Sequence, residues 1–271
     1  MSLPFASKLR SRCETSHSVV CVGLDPDPAR IPKALTENSS IEDAIREFCC
    51  QIIEATAEKV VAFKLNLAFF EAIGRNGWSV VEDVLKQIPR DVITIADAKR
   101  GDIGNSARFY AKALLEDLSF DAVTISPYMG SDSVLPFLQH PEKAAFILAR
   151  TSNPGGDDFQ LLQTKGIPLY QRIAIASLDW DAASRGTVGL VAGASDLHSL
   201  AELRHICPET PFLIPGTGAQ GASAEDVMRV AGSGPVLINS SRKIIFASSG
   251  KDFAEAAASA TDVMRSEVAY R

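Results

Sequence analysis

Apolar runs and amphipathic segments alternate along the chain, and this alternation predicts strands that are each followed by a helix. Short runs rich in β-branched residues, such as Ser18–Leu24 and Val92–Ile95, predict buried strands. In Ile41–Ala57, by contrast, apolar side chains recur every three or four residues, which predicts a helix with one buried face. Eight strand–helix repeats follow one another in this way.

The predicted elements span the chain from end to end. The strands are Ser18–Leu24, Val60–Phe63, a third that begins at Val92 and carries Asp97 and Lys99, Asp121–Ser126, Ala144–Ala149, Thr187–Ala192, Phe212–Ile214 and Pro235–Ile238. The helices cover residues 1–17, Ile41–Ala57, Trp78–Ile88, Ser106–Leu118, Ser133–Gln139, Leu169–Trp180, a segment that Ser195 caps, Ala224–Val230 and Asp252–Val268.

A regular alternation of strands and helices is typical of a parallel sheet. Eight repeats within 271 residues predict a (β/α)8 TIM barrel in which residues 1–271 form a single domain. An open, doubly wound sheet is the alternative. The repeats run without a linker or a low-complexity segment, which favours closure into a barrel.

Composition and charge exclude several classes of protein. Hydrophobic residues make up 46% of the chain and charged residues 22%, as in a globular protein with a full core. The net charge of −6 and the lack of a basic tract argue against nucleic-acid binding, and the lack of a long apolar run argues against a membrane span. Five scattered cysteines, an odd number without a CxxC pair, predict a reduced, cytoplasmic protein. The four histidines show no metal-binding spacing.

The third strand leads into an unusual run of charges. Asp97 and Lys99 are two residues apart, so on a regular strand both side chains point to one face. Asp102 follows beyond a glycine, where the strand gives way to a loop. Charged residues are rarely buried unless they are paired, so this acid–base–acid series favours a functional site. The alternative is a surface strand end that carries structural ion pairs.

Other polar residues follow the remaining predicted strands. In (β/α)8 barrels the active site lies at the carboxyl ends of the strands. Any one polar residue there is most simply an ordinary strand end, but several acids and bases on successive strands favour a site. These residues are Asp25, Lys64, Ser126, Ser152 and Arg242.

A glycine-rich turn follows the seventh predicted strand. Residues 216–221 fit the pattern GxGxxG, which is weak by itself. A dinucleotide site would also need an acidic residue about 20 positions further on, and the chain supplies Arg242 there instead. Backbone N–H groups before a helix, together with an arginine, predict a phosphate site. The alternative is a tight turn with a surface arginine.

Taken together, these motifs are similar to those of the orotidine 5'-phosphate decarboxylase family. The similarity covers nearly the whole chain. The Thr-Ser-Asn-Pro-Gly segment that includes Ser152 and the long first loop resemble the longer bacterial subgroup. The similarity rests on Asp97-x-Lys99-x-x-Asp102-Ile103, on Lys64 and Asp25 in the two preceding repeats, and on Gln220 with Arg242.

This resemblance implies a homodimeric enzyme that converts orotidine 5'-phosphate to UMP without a cofactor or metal. It implies that Lys64, Asp97 and Lys99 act from one subunit, with Lys99 as the proton donor. Asp102 and Ser106 would reach into the site of the neighbouring subunit. Ser106 stands where many members have threonine, and it keeps the hydroxyl group.

The resemblance also implies how the substrate is bound. Asp25 and Lys64 would hold the ribose hydroxyls, and Ser152 would bind the edge of the pyrimidine. Gln220 and Arg242 would bind the phosphate. Further substrate contacts are implied at Ile103, Ser126, Pro215 and Ser241.

Two other functions fit the same residues. One is a related barrel enzyme that acts on a sugar phosphate, for example a metal-assisted decarboxylase or an epimerase. The other is a barrel that binds a nucleotide phosphate without turnover. A protein that only binds has no need of the Asp-Lys-Asp series, which favours an enzyme.

Overall fold

In the computed structural model, residues 3–216 and 222–268 are described. Within them, eight parallel strands form a closed barrel in the order β1-β8-β7-β6-β5-β4-β3-β2. This arrangement confirms the predicted (β/α)8 TIM barrel. The strands are β1 Val20–Leu24, β2 Ala62–Asn66, β3 Ile93–Arg100, β4 Ala122–Ile125, β5 Ala144–Arg150, β6 Thr187–Ala192, β7 Phe212–Pro215 and β8 Val236–Ser240.

The helices of the described residues include several short ones that the apolar pattern did not predict. No helix in this part of the chain is long and apolar enough to cross a membrane. The helices are α1 Phe5–Ser16, α2 Lys33–Thr36, α3 Ile41–Thr56, α4 Leu67–Glu71, α5 Gly77–Gln87, α6 Gly104–Ala111, α7 Ser131–Val134, α8 Asp157–Gln160, α9 Leu169–Ala182, α10 Leu197–Ile206, α11 Ala224–Ala231, α12 Arg242–Ile245 and α13 Phe253–Glu267.

The contacts between residues define two compact units, and the first comprises residues 11–98 and 239–271. All five residues of β1 are buried, as expected for a strand covered on both faces. The apolar face of α3 carries Phe48, whose ring stacks on Phe246 at 5.4 Å and on Phe253 at 5.3 Å. The Ser40 hydroxyl accepts a hydrogen bond from the Asp43 amide and so caps the start of α3.

The second unit comprises residues 1–10 and 99–238. Phe5, in the first turn of α1, packs edge-on against Phe146 of β5 with the ring centroids 6.2 Å apart. Arg204 is buried, and its guanidinium donates to backbone carbonyls that include Ala231 and Pro235. Because these carbonyls belong to separate elements, Arg204 joins the end of α11 to the start of β8.

Three local features differ from the sequence predictions. The predicted cap Ser195 is wrong: the Asp196 side chain accepts from the Ser199 amide and caps α10. The segment predicted as one helix over Ser106–Leu118 starts earlier, at Gly104, and passes into a π-helix over Lys112–Asp117. A small antiparallel hairpin, Gln163–Thr164 with Ile167–Pro168, was not predicted.

Candidate active site

A buried ion pair joins two neighbouring strands of the first unit. In the parallel register of β2 and β3, Lys64 pairs with Ile95 and Asn66 with Asp97. The ammonium of Lys64 donates to Oδ2 of Asp97 at 2.8 Å, and it lies 3.8 Å from Oδ1 of Asp25 after β1. Lys64 is only 5% exposed. The structure therefore brings together three residues that the sequence singled out.

The two carboxylates of this cluster keep Lys64 charged. Burial acts to lower the pKa of Lys64, but the carboxylates of Asp25 and Asp97 outweigh it, so the pKa of Lys64 lies above its usual value. Lys64 is therefore an ammonium ion at neutral pH. Oδ1 of Asp25 is buried and accepts no hydrogen bond within the described residues, which leaves it able to bind a donor from a ligand.

The Ser241 hydroxyl is a second buried oxygen without a hydrogen bond in the described part of the chain. Ser241 follows β8 and lies close to β1. A Cβ atom on Gly23 would lie 2.8 Å from the Cβ of Ser241, so only glycine leaves room for this side chain. The next residue, Arg242, is exposed at the start of α12, where its guanidinium can bind an anion.

Lys99 lies on β3, two residues after Asp97, and belongs to the second unit. It is exposed, and its φ of +47° is in the left-handed region, which a lysine rarely adopts. The prediction that Asp97 and Lys99 share one face relied on the alternating side chains of a regular strand. The left-handed backbone at Lys99 interrupts this alternation. Such backbone strain is concentrated at functional sites.

Thr124 on β4 supports this strained backbone. Its hydroxyl accepts a hydrogen bond from the Lys99 amide at 3.0 Å, and Thr124 is 1% exposed. Thr124 was not among the site residues predicted from the sequence. The available signal was a hydroxyl residue in the otherwise apolar run Ala122–Ile125.

The segment after β3 carries three more predicted site residues. Oδ1 of Asp102 accepts from the Ile103 amide at 2.8 Å, which fixes the carboxylate at the start of α6. The Ile103 side chain is 53% exposed, and Ser106 is exposed on α6. Ser126, just after β4, donates its amide to the Arg100 carbonyl at 2.7 Å. Hydrogen bonds to the backbone thus fix the Asp102 carboxylate and the main chain at Ser126.

Ser152 follows β5 and packs against two glycines. A Cβ on Gly193 would lie 2.8 Å from the Ser152 amide nitrogen, and a Cβ on Gly216 would lie 3.1 Å from the Ser152 Cβ. Gly216 has a φ of +90°, which favours glycine. The carbonyl of Pro215 accepts from the Ala194 amide at 2.9 Å. The end of β7 is therefore fixed beside the segment that carries Ser152.

The predicted phosphate ligand Gln220 and the rest of the glycine-rich turn, 217–221, lie outside the described residues. Arg242 is thus the one predicted phosphate ligand with a described position. The described side chains offer a lysine held charged by carboxylates, an exposed lysine on a strained strand end, and an exposed arginine. These groups can bind hydroxyls, donate a proton and bind an anion.

Comparisons with known proteins identify the family. The model of the orotidine 5'-phosphate decarboxylase / HUMPS family matches residues 18–257. Orotidine 5'-phosphate decarboxylase of Dehalococcoides mccartyi is 43% identical over 98% of this chain and 97% of its own length. That of Herpetosiphon aurantiacus is 45% identical over 93% of each chain.

A solved structure shows the same likeness. The structure of Leishmania donovani OMP decarboxylase has a TM-score of 0.82 and 35% identity, covering 97% of this chain and 99% of its own. These named relatives are decarboxylases, which are carboxy-lyases. The matched segment includes all the described acids and bases of the site. The chain belongs to the orotidine 5'-phosphate decarboxylase / HUMPS family.

Proposed function

We propose that this protein decarboxylates orotidine 5'-phosphate to UMP, the last step of de novo pyrimidine nucleotide synthesis. The observation that carries this proposal is the Asp97-x-Lys99-x-x-Asp102 series in which Asp97 pairs with the buried Lys64. The relatives named above carry out this reaction by name and align over nearly the whole chain. Both the residues and the relatives therefore support the same substrate.

In the proposed reaction, the bond between C6 of the pyrimidine and the carboxylate carbon breaks. Carbon dioxide leaves, and the electron pair remains on C6. The Lys99 ammonium then transfers its proton to C6, which gives UMP and a neutral lysine that solvent reprotonates. The proton thus replaces the carboxylate at the same carbon, and no electron acceptor is needed.

Electrostatic stabilisation is the main task of such a site. The pyrimidine ring stabilises a C6 carbanion poorly, so the site must lower the barrier by on the order of 20 kcal/mol. A fixed ammonium facing the developing charge is the natural device. Asp97 and Asp102 supply negative charges that orient the Lys99 ammonium, and Asp97 beside the substrate carboxylate disfavours the ground state.

The remaining residues bind the parts of the substrate that do not react. Asp25 and Lys64 hold the ribose hydroxyls, which agrees with the buried Asp25 oxygen that accepts no hydrogen bond within the described residues. Ser152 binds the pyrimidine edge, and Gln220 with Arg242 binds the phosphate. Ile103, Ser126, Pro215 and Ser241 complete the substrate contacts. The buried hydroxyl of Ser241 has no hydrogen-bond partner among the described residues, which supports its inclusion.

The active form in this proposal is a homodimer in which Asp102 and Ser106 act in the neighbouring subunit. Apolar side chains are exposed on the same segment and on the next loop, which supports a protein contact there. Ile103 is followed by the exposed Phe109, and Tyr128 after β4 is 86% exposed. All five cysteines are free thiols, which supports a reducing compartment such as the cytoplasm.

The proposal is tested by mixing purified protein with orotidine 5'-phosphate in the presence of excess EDTA. The ultraviolet absorbance change and chromatography of the product should show stoichiometric conversion to UMP. Folded protein that leaves the substrate unchanged would refute the proposal. Activity that EDTA abolishes would instead favour a metal-assisted enzyme acting on a sugar phosphate.

Replacement of Arg242 tests the phosphate site. We expect Arg242→Ala to lower kcat/KM for orotidine 5'-phosphate by about 100-fold, because a charged contact to the phosphate is lost. The neighbouring Lys243 is also exposed at the start of α12, so Lys243→Ala is the matched control and should stay near wild type. An unchanged kcat/KM in Arg242→Ala would remove Arg242 from the site.

Replacement of Thr124 tests the support of the catalytic lysine. Thr124→Val keeps the side-chain shape but removes the acceptor for the Lys99 amide, so Lys99 can shift. We expect kcat to fall by about tenfold with KM little changed. Thr124→Ser retains the hydroxyl and should restore most of kcat. Equal losses in the two variants would show that packing, and not this hydrogen bond, accounts for the effect.

A further inference from the structure

Arg150 is the last residue of β5 and lies two positions before Ser152, with a side chain only 8% exposed. We propose that Arg150 is a positioning residue that fixes Ser152 so that its hydroxyl meets the pyrimidine. The inference rests on the proposed function, in which Ser152 binds the pyrimidine edge. Sequence reasoning gave Arg150 no role.

The guanidinium of Arg150 joins three segments of the second unit. Its Nη2 lies 2.7 Å from Oδ1 of Asp157 and 3.5 Å from Oδ2 of Asp196, and its Nη1 donates to Oε1 of Gln160 at 3.3 Å. Asp157 is the first residue of α8 and Gln160 is its last, and Asp196 caps α10. The planar fork of arginine can reach all of these acceptors at once, whereas a lysine ammonium cannot.

Gln160 links the Arg150 guanidinium to Thr151, the residue before Ser152. Its Oε1 accepts from the Thr151 amide at 2.9 Å, and its Nε2 donates to the Thr151 hydroxyl at 2.8 Å. That hydroxyl in turn donates to Oδ1 of Asn153 at 2.7 Å. The residues on both sides of Ser152 are therefore hydrogen-bonded within one network.

Glycines allow this network to close around Ser152. A Cβ on Gly156 would lie 2.9 Å from both Oε1 of Gln160 and the Thr151 hydroxyl. The Gly193 amide donates to the Arg150 carbonyl at 2.7 Å, and Gly193 packs directly on the backbone of Ser152. Ser152 itself is exposed. Its backbone is thus held while its hydroxyl remains accessible to a ligand.

This arrangement predicts that replacing Arg150 affects the binding of the pyrimidine end of the substrate and not that of the phosphate end. Ser152 binds the pyrimidine in the proposed function, whereas Arg242 binds the phosphate. Loosening the network should therefore weaken the binding of ligands that carry a pyrimidine more than the binding of ligands that lack one. If the role of Arg150 were purely structural, its replacement would weaken the binding of both alike.

The experiment compares the binding of UMP and of ribose 5-phosphate by calorimetry. In Arg150→Lys we expect about tenfold weaker binding of UMP, with binding of ribose 5-phosphate within about twofold of wild type. Arg204→Lys is the control, since Arg204 is another buried arginine of the same unit with carbonyl partners elsewhere. It should lower the midpoint of thermal unfolding and leave the ratio of the two affinities unchanged.

A double-mutant cycle asks whether Arg150 acts through Ser152. In the Ser152→Ala background, Arg150→Lys should weaken UMP binding by less than about twofold, because the group being positioned is already absent. Gln160→Ala is the second variant, and it should likewise weaken the binding of UMP more than that of ribose 5-phosphate, including if Arg150→Lys does not fold.

Three outcomes would count against the inference. Equal losses for both ligands in Arg150→Lys, or in Gln160→Ala where Arg150→Lys does not fold, would make the network purely structural. Additive effects in the cycle would separate Arg150 from Ser152. Either of these, in a protein that decarboxylates orotidine 5'-phosphate, leaves the proposed function standing. Wild-type protein that neither binds UMP nor turns over the substrate would overturn both.

Discussion

Lys99→Met is expected to lower kcat for orotidine 5'-phosphate by more than about 10,000-fold, because one residue supplies two effects. General acid catalysis contributes about 100- to 10,000-fold, and a preorganised charge contributes about 100- to 1,000-fold. Methionine keeps the length of the side chain but has neither a charge nor a proton to donate. The single-turnover rate with excess enzyme is the measurement, since it isolates the chemical step.

Lys165 supplies a closely matched control. It is an exposed lysine of the same unit with a φ of +49°, and it lies in the small hairpin next to Gly166. Lys165→Met therefore controls for the structural effect of replacing an exposed lysine that has a left-handed backbone. We expect its kcat to stay near that of the wild type. A Lys99→Met variant that retains more than about a tenth of wild-type kcat would contradict the role given to Lys99, because general acid catalysis alone should exceed that loss.

The backbone of Lys99 offers an independent measurement. A non-glycine residue in the left-handed region costs about 1 kcal/mol or more. Lys99→Gly should therefore leave the free energy of unfolding unchanged or raise it by up to about 1 kcal/mol, while catalysis is lost. Loss of activity together with retained stability would separate the chemical role of Lys99 from a structural one.

The barrel could be predicted because its strands are long enough to read as continuous apolar runs. β1 and β5 are buried almost throughout, so their sequences carry the signal directly. Helix boundaries depend on single side-chain contacts, which is why Asp196 caps α10 in place of Ser195. Two neighbouring residues can each cap a helix, and the sequence does not show which one faces the free amides.

The candidate site was predictable where charged residues interrupt an apolar pattern. Asp97 and Lys64 stand out in this way, and the structure pairs them. The hydrogen bond from the Lys99 amide to Thr124 joins residues on neighbouring strands, and threonine is common in strands for other reasons. Arg150 was missed for a similar reason, since its role depends on contacts that form only in the folded chain.

The second large effect is expected at Asp102, which the proposed homodimer places in a shared site. Its carboxylate is oriented by the Ile103 amide, and the apolar residues Ile103 and Phe109 are exposed on the same segment of the chain. In the proposed homodimer this carboxylate acts in the neighbouring subunit. We expect Asp102→Asn to lower kcat by about 1,000-fold, because Lys99 loses a negative partner at the reacting centre.

Mixing the two inactive variants then tests whether the site is shared. In a heterodimer of Lys99→Met and Asp102→Asn, one site carries both substitutions and the other carries neither. Random exchange of subunits at equal amounts should restore about a quarter of wild-type activity, since half of the dimers are mixed and each has one intact site. Co-expression with two affinity tags and purification through both should raise this to about half. Mixed dimers that stay inactive would place Asp102 in its own subunit's site, because each site would then still carry one substitution.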